Sequence, residues 1–165
     1  MSQKSAIRCL VVLLFVVGIA GNAVAQMPNA YGPPIALETA KKIAAPAIAE
    51  AAKNNWNVAV AVVDPGGNLV YYEKMDNTQN GSAKVAVNKA RSAALFKRPT
   101  KAFQDAVAGG GAGLRVLGLE GAVPLEGGVP LVVDGKIIGA IGLSGDSSDH
   151  DGQCAKAGAD TILKP

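Results

Sequence analysis

The sequence VPLVVDGKIIGAIGLS, residues 129–144, decides the fold of this chain. Two apolar runs flank Asp134-Gly135, and such a pair is the strongest short-range signal for a tight hairpin, because a type I′ turn requires positive φ at both central residues. The sequence therefore predicts two antiparallel strands, at residues 129–134 and 137–144.

A second hairpin is predicted earlier in the chain. Residues 58–64 are apolar on both faces, which is typical of a central, buried strand, and residues 69–75 are its predicted partner. The connection, Asp64-Pro65-Gly66-Gly67-Asn68, has strong turn chemistry. A further strand is expected at residues 121–125, which gives five strands in all.

The spacing of apolar residues predicts helices around these strands. They are expected at residues 37–54, 82–97, 100–108 and 149–163. Pro46 is expected to kink or break the first helix. The second helix carries a stripe of small residues, namely Ala83, Val87, Ala90 and Ala94, widened by Ala86 and Ala93. Because the helices come in blocks and do not alternate with the strands, the predicted fold class is α+β.

The first residues have the pattern of an export signal. Lys4 and Arg8 give a positive start, an apolar run of about a dozen residues follows, and Ala23-Val24-Ala25 supplies a small-x-small cleavage pattern. We expect residues 1–25 to be a cleaved Sec-type signal peptide of a periplasmic or secreted bacterial protein; an uncleaved membrane anchor is the alternative. Residues 26–36 are expected to form a flexible arm, and residues 37–163 a single domain.

Charge and cysteine content exclude some classes of protein. The chain has 16 Lys and Arg against 13 Asp and Glu, and removal of Lys4 and Arg8 leaves 14 against 13. This balance is not the footprint of a nucleic-acid-binding protein. Cys154 is the only cysteine after residue 25, so no internal disulfide is predicted. An exported protein of this kind depends on core packing or on oligomerisation.

Several short patterns occur in a defined order along the chain. They are Val63-Asp64-Pro65-Gly66-Gly67-Asn68-Leu69, Lys89-Ala90-Arg91-Ser92-Ala93-Ala94, Arg98-Pro99-Thr100, Gly127-Gly128-Val129-Pro130 and Ile138-Gly139-Ala140-Ile141-Gly142. Over residues 37–159 this set resembles the GlcG/HbpS-type family of small haem-binding proteins. The resemblance implies a profilin- or PAS-like five-stranded antiparallel sheet flanked by helices, and homo-oligomers from dimers to octamers. It also implies haem as the cofactor, with haem degradation or redox sensing in some exported members.

The central helix presents a cationic face that suits a carboxylate ligand. Lys84, Asn88 and Arg91 lie at positions i, i+4 and i+7, and Arg98 lies just beyond the predicted helix end. Because a planar guanidinium binds carboxylates with two hydrogen bonds, this face is a candidate site for haem propionates or for a small organic acid. A solvated helix face is the alternative.

Lys89 lies off this face, beside the stripe of small residues. A buried lysine requires a partner, and the sequence leaves open whether that is a backbone carbonyl or a carboxylate such as Asp64. Lys89 is therefore a candidate both for a structural role and for cofactor binding. Gly127-Gly128 predicts a close approach of the backbone and the border of a ligand pocket.

His150 is the only histidine, and Cys154 follows it at i+4. This spacing puts both side chains on one helix face, as a metal or haem-iron site would require; a surface histidine and a small core cysteine are the alternative. Met75, Tyr71 and Tyr72 are further candidates for an axial ligand of haem iron.

The remaining motifs carry less chemistry. The glycines of residues 109–113 lack the preceding strand and the Gly-Lys-Ser/Thr of a phosphate loop. Asp146, Asp149 and Asp151 cluster where the dipole of the last helix favours negative charge. No nucleophile–base set is visible, so no catalytic residue is assigned. We expect an exported haem- or tetrapyrrole-binding protein; the alternatives are a non-haem accessory protein that binds small organic acids and a purely structural interaction module.

Overall fold

The computed structural model describes residues 29–163, so the predicted signal peptide lies outside the described residues. The elements are β1 (Ala30–Tyr31), α1 (Leu37–Lys53), β2 (Ala59–Val63), β3 (Leu69–Lys74), α2 (Asn80–Leu95), α3 (Lys101–Ala108), β4 (Gly128–Val133), β5 (Lys136–Ser144) and α4 (Ser148–Ala159). Two 3₁₀ helices, Gly111–Gly118 and Asp160–Leu163, follow α3 and α4. None of the helices in this part of the chain is long and apolar enough to cross a membrane.

The sheet is built on β5. One edge of β5 pairs antiparallel with β2 through residues 140–144, the other pairs antiparallel with β4 through residues 136–142, and β2 pairs antiparallel with β3. β1 adds to the β2 side of β5, in parallel, at Lys136 and Ile137. Within residues 29–163 the predicted five-stranded α+β architecture is confirmed, with one parallel pairing in an otherwise antiparallel sheet.

The fifth strand of the sheet is β1. The strand predicted at residues 121–125 is absent, and these residues form an irregular segment. Gly32 N–H donates to the carbonyl of Ile137 and Ile35 N–H to that of Ile138, each at 2.8 Å. The described part of the predicted flexible arm, residues 29–36, is therefore attached to the sheet. A strand of two exposed residues has no periodicity by which a sequence pattern could reveal it.

Both predicted hairpin turns are present. Asp134 and Gly135 have φ of 48° and 70°, the positive values that a type I′ turn requires. In the other turn, Asp64 Oδ1 accepts from Asn68 N–H at 2.9 Å, and Gly67 has φ of 80°. The helices also follow the prediction, except that α1 includes Pro46 and is not divided by it.

Helices cover both faces of the sheet. α1 and α4 lie over one face, where the buried residues include Val60, Val62, Ile141 and Leu143. α2 lies over the other, and the contact there is almost entirely alanine: Ala59, Ala61, Val63, Ala86, Ala90, Ala93, Ala94 and Ala140. Of the predicted stripe, four alanines are buried here, while Val87 is partly buried and Ala83 lies outside this cluster. These small side chains let α2 approach the sheet closely. A Cβ on Gly142 would lie 2.3 Å from the carbonyl oxygen of Ala86.

Candidate functional site

An open groove of ≈ 410 Å³ runs beside α2. We call it the α2 groove; its walls are Asn88, Arg91 and Leu95 on the helix, and Gly121, Ala122 and Val123 on the irregular segment before β4. Val123 N–H donates to Ser92 Oγ at 3.0 Å, and this bond ties the second wall to the helix. A buried serine in the last turn of the alanine-rich helix therefore holds the second wall of the groove in place.

Arg91 is held in the groove by the turn between β2 and β3. Its Nε donates to the carbonyl of Gly67 at 2.9 Å, while the residue as a whole is exposed. A Cβ on Gly67 would lie 3.4 Å from Arg91 Cγ, so the turn packs directly on the arginine stem. Among the hydrogen bonds of residues 29–163 only Nε of this guanidinium is engaged, which leaves the Nη donors to a ligand.

Exposed leucines occur in the groove itself and in the chain segment that forms its second wall. Leu95 lines it, and the segment between α3 and β4 exposes four more, Leu114, Leu117, Leu119 and Leu125. Leu117 is 66% exposed. Large apolar side chains exposed to water, where they form one patch, are typical of a ligand or protein contact surface.

Two other residues of the predicted cationic face lie outside the groove. Lys84 is exposed two turns before Arg91 and does not line it. The guanidinium of Arg98 lies 5.6 Å over the ring of Phe103 on α3. The structure therefore brings Asn88 and Arg91 together and separates Arg98 from them.

His150 and Cys154 do not share an accessible site. The ring of His150 stacks on Trp56, with centroids 3.8 Å apart, and its Nδ1 lies 2.6 Å from Asp146 Oδ1. Cys154 is fully buried in the core. Burial, with a smaller contribution from Asp151, raises the pKa of the Cys154 thiol to about 12, so the thiol is protonated at neutral pH and is a poor ligand.

The other candidate iron ligands also lie away from the α2 groove. Met75 and Tyr71 pack against the core, and the Tyr71 hydroxyl donates to Glu73 at 2.5 Å. Tyr72 is exposed on the edge strand β3. Within residues 29–163 no group of three or more His, Cys, Asp or Glu side chains is arranged to hold a metal ion.

A buried ion pair joins α2 to α4. Lys89 Nζ lies 2.7 Å from Asp151 Oδ2, and both side chains are 2% exposed. The partner of Lys89 is therefore Asp151, whereas the carboxylate of Asp64 is engaged by Asn68 in its own turn. Burial raises the pKa of Asp151, and the charge of Lys89 opposes this shift. Because Lys89 is enclosed, it acts between the helices and is not accessible to a ligand.

Gly127 and Gly128 make room for this pair. A Cβ on Gly127 would lie 3.0 Å from Lys89 Nζ and 2.9 Å from Asp151 Cβ, and one on Gly128 would lie 2.3 Å from the carbonyl oxygen of Lys89. Gly128 N–H donates to Thr100 Oγ1 at 2.9 Å. The predicted close approach of the backbone at these glycines is confirmed.

The same glycines border a second concave surface. A hollow of ≈ 300 Å³ lies between the start of α3, residues 126–129 and α4. A second, of ≈ 290 Å³, follows the rest of β4 to the Asp134-Gly135 turn. The two share Val129, Ala159 and Asp160, and we call them together the β4 trough. Apart from the glycine pair, no sequence pattern indicates this trough, because α4 and β4 meet only in the folded chain.

Known proteins resemble this chain in both sequence and structure. A family model described as "Haem degrading protein HbpS-like" matches residues 35–160. Protein GlcG of Escherichia coli strain K12 is 46% identical over 95 residues, which cover 58% of this chain and 69% of that protein. A double mutant of HbpS from Streptomyces reticuli has a similar structure, with a TM-score of 0.72 and 28% identity over 96% of this chain and 98% of that chain. The structure of a PduOC complex with haem has a TM-score of 0.69 and 26% identity over 77% and 94% of the two chains.

Proposed function

Because this chain belongs to the HbpS-like family, we propose that it binds haem and that the α2 groove holds the porphyrin. The observation that carries the proposal is the guanidinium of Arg91 in the wall of an open groove that the exposed Leu95 also lines. Support from relatives comes from the family description and from the haem complex of PduOC.

The lining of the groove fits the two chemical parts of haem. The porphyrin is flat and apolar, and it would contact Leu95, Ala122 and Val123 and gain from covering apolar surface that is otherwise exposed to water. The propionates are carboxylates, and Arg91 offers them a planar fork. Lys84, on the same helix face, adds a second positive charge toward solvent.

The groove offers the iron no conventional axial ligand. Its lining contains no His, Cys, Met or Tyr among the described residues, which are the usual protein ligands of haem iron. Bound haem would supply the redox chemistry of its iron. The residues of the groove would hold the porphyrin and orient the propionates, and Asn88 is the polar side chain beside them.

A haemin titration of the chain from residue 26 tests the proposal. We expect a shifted Soret band that saturates, and at least about tenfold weaker binding in Arg91→Ala, because a hydrogen bond to a charged group contributes about 1.5–3 kcal/mol. Arg91→Lys keeps the charge without the fork and should bind with intermediate affinity. Arg98→Ala is the matched control outside the groove and should bind normally. No Soret shift, or equal losses in Arg91→Ala and Arg98→Ala, would contradict the proposal.

A small organic acid is the second candidate ligand of this groove. Arg91 and Asn88 suit a single carboxylate as well as a propionate. A thermal-shift comparison separates the two ligands: stabilisation by small carboxylates that Arg91→Ala abolishes, without stabilisation by haemin, would favour the acid.

Haem degradation or redox sensing, export and oligomerisation are further proposals. The first predicts that the Soret band of the loaded protein decays with a reductant and oxygen, and more slowly in Arg91→Ala. Export rests on the pattern of residues 1–25 and predicts periplasmic or secreted protein that begins at Gln26. A homo-oligomer rests on the exposed leucines and is measured by sedimentation of the chain from residue 26.

A further inference from the structure

The β4 trough is lined by backbone and aliphatic side chains, together with the charged side chains of Lys101, Glu126, Lys156, Asp160 and Asp134. Its hollows meet at Val129 and Ala159, and Val132 and Ile162 continue it toward the far end. At Gly152 the helix backbone is covered by the Glu126 side chain, since a Cβ there would lie 2.4 Å from Glu126 Oε1. Two hollows joined along one strand suit an extended aliphatic chain.

β4 is an edge strand, yet it offers little to another strand. Both backbone groups of Gly128 are taken by Thr100, at 2.9 Å and 3.0 Å. Pro130, two residues on and therefore facing the same way, has no N–H. A peptide or the edge of a second copy would find this hydrogen-bonding pattern interrupted. A ligand without a peptide backbone does not need it.

Both lysines of the trough lie at one end, beside the acids Glu126 and Asp160, and Asp160 also lines the second hollow. Lys101 and Lys156 line the hollow beside α3, and Asp134 lies at the opposite end. Each lysine pairs with an exposed carboxylate four residues later, and Glu126 Oε2 lies 3.8 Å from Lys101 Nζ. Exposed ion pairs of this kind are weak, so a ligand carboxylate can replace a neighbouring acid as the partner of either lysine.

We infer that the β4 trough binds an aliphatic monocarboxylate, with its carboxylate at Lys101 and Lys156 and its chain along β4 toward Ile162. The two lysines of the lining lie at this end and Asp134 lies at the other, which sets this direction. The site shares no lining residue with the α2 groove, so it is independent of the proposed haem site.

Calorimetric titration with butyrate, hexanoate, octanoate and decanoate tests the apolar part of the site. Each buried methylene should strengthen binding about fourfold, until the chain fills the trough and affinity stops rising. The alcohols of the same length should bind about tenfold more weakly, because they lack the charge that the lysines recognise.

Variants test the two ends separately. The double variant Lys101→Met with Lys156→Met should lose about tenfold for octanoate and leave the binding of octanol unchanged. Lys41→Met, which removes another exposed lysine of an ion pair on α1, is the matched control. Ala159→Leu places a larger side chain where the two hollows meet, so it should abolish the gain beyond hexanoate and spare butyrate. Ala52→Leu, at an exposed position of α1, is its control.

Some outcomes would overturn the inference. These are no binding by any acid, equal binding of acids and alcohols, or an affinity for octanoate that the lysine variants do not change. If no acid binds and Ala159→Leu alters the sedimentation of the chain, a second copy occupies the trough instead. Haemin binding should be normal in the lysine variants and octanoate binding normal in Arg91→Ala, so failure of this site is distinguishable from failure of the haem proposal.

Discussion

Lys89→Met should be one of the most destabilising single substitutions in this chain. It removes the ammonium 2.7 Å from Asp151 Oδ2 and leaves a carboxylate that is 2% exposed. Asp146 N–H, at 3.4 Å, is then its remaining hydrogen-bond donor. A buried charge that loses its partner costs about 3–5 kcal/mol, against about 5–15 kcal/mol for the whole stability of a domain.

The pH dependence of this loss has a defined sign. Burial raises the pKa of Asp151, and removal of Lys89 takes away the opposing charge. An acid whose pKa is raised by folding contributes most stability when protonated, below its unfolded pKa, and loses that contribution as pH rises through the folded pKa. Lys89→Met should therefore be closest to the parent chain in acid and furthest from it at neutral and alkaline pH.

Equilibrium unfolding in urea, followed by far-UV circular dichroism, measures the effect. Lys89→Met with Asp151→Leu replaces both charges by apolar groups and should be less destabilised than Lys89→Met alone, since no buried charge remains. Lys41→Met, which breaks an exposed pair with Glu38, should change the free energy of unfolding by less than about 1 kcal/mol. The reasoning would be refuted if the loss of unfolding free energy in the double variant equalled the sum of the losses in Lys89→Met and Asp151→Leu measured singly.

Three further predictions concern neighbouring groups. Gly128→Ala should lower stability by about 3 kcal/mol in the same urea assay, because its Cβ would lie 2.3 Å from the carbonyl of Lys89; unchanged stability would contradict the close packing. Cys154 should react with a thiol reagent only after unfolding. A pKa of about 12 leaves roughly a thousandfold less thiolate than an unperturbed cysteine has at the same pH. Rapid reaction of the native chain would contradict the burial of Cys154. Ser147 N–H and His150 lower the pKa of Asp146, so its stabilisation is present above the ordinary pKa and lost as pH falls through the native one. Asp146→Asn should then lower the melting temperature slightly at pH 7, for less than about 1 kcal/mol, and not at acidic pH; an equal loss at both would contradict the assignment.

The hairpins could be predicted because their signals are local. The two residues Asp134-Gly135 predict a tight hairpin turn by themselves, and the five residues 64–68 predict the other turn. The alanine stripe of α2 has the helical period, so its burial was also predictable. β1 was not, since two exposed residues reach β5 through backbone hydrogen bonds alone.

The candidate site was predictable only in part. Asn88 and Arg91 share a helix face, and this much follows from spacing. The opposite wall, residues 121–123, is predicted to be a strand and is irregular in the structure. Its attachment to Ser92 joins residues 31 positions apart, and no local pattern reveals such a contact. The need of Lys89 for a partner was clear, but Asp151 lies 62 positions away, and nothing near either residue identifies the other.

The place of β5 in the chain also determines the timing of folding. β1 and β2 both pair with residues 136–144, so during translation neither of these pairings can form until most of the 165 residues have been synthesised. Pairings between segments so distant in sequence form slowly. The hairpin of β2 and β3, which are neighbours in the chain, can therefore form well before the sheet of residues 29–163 closes around β5.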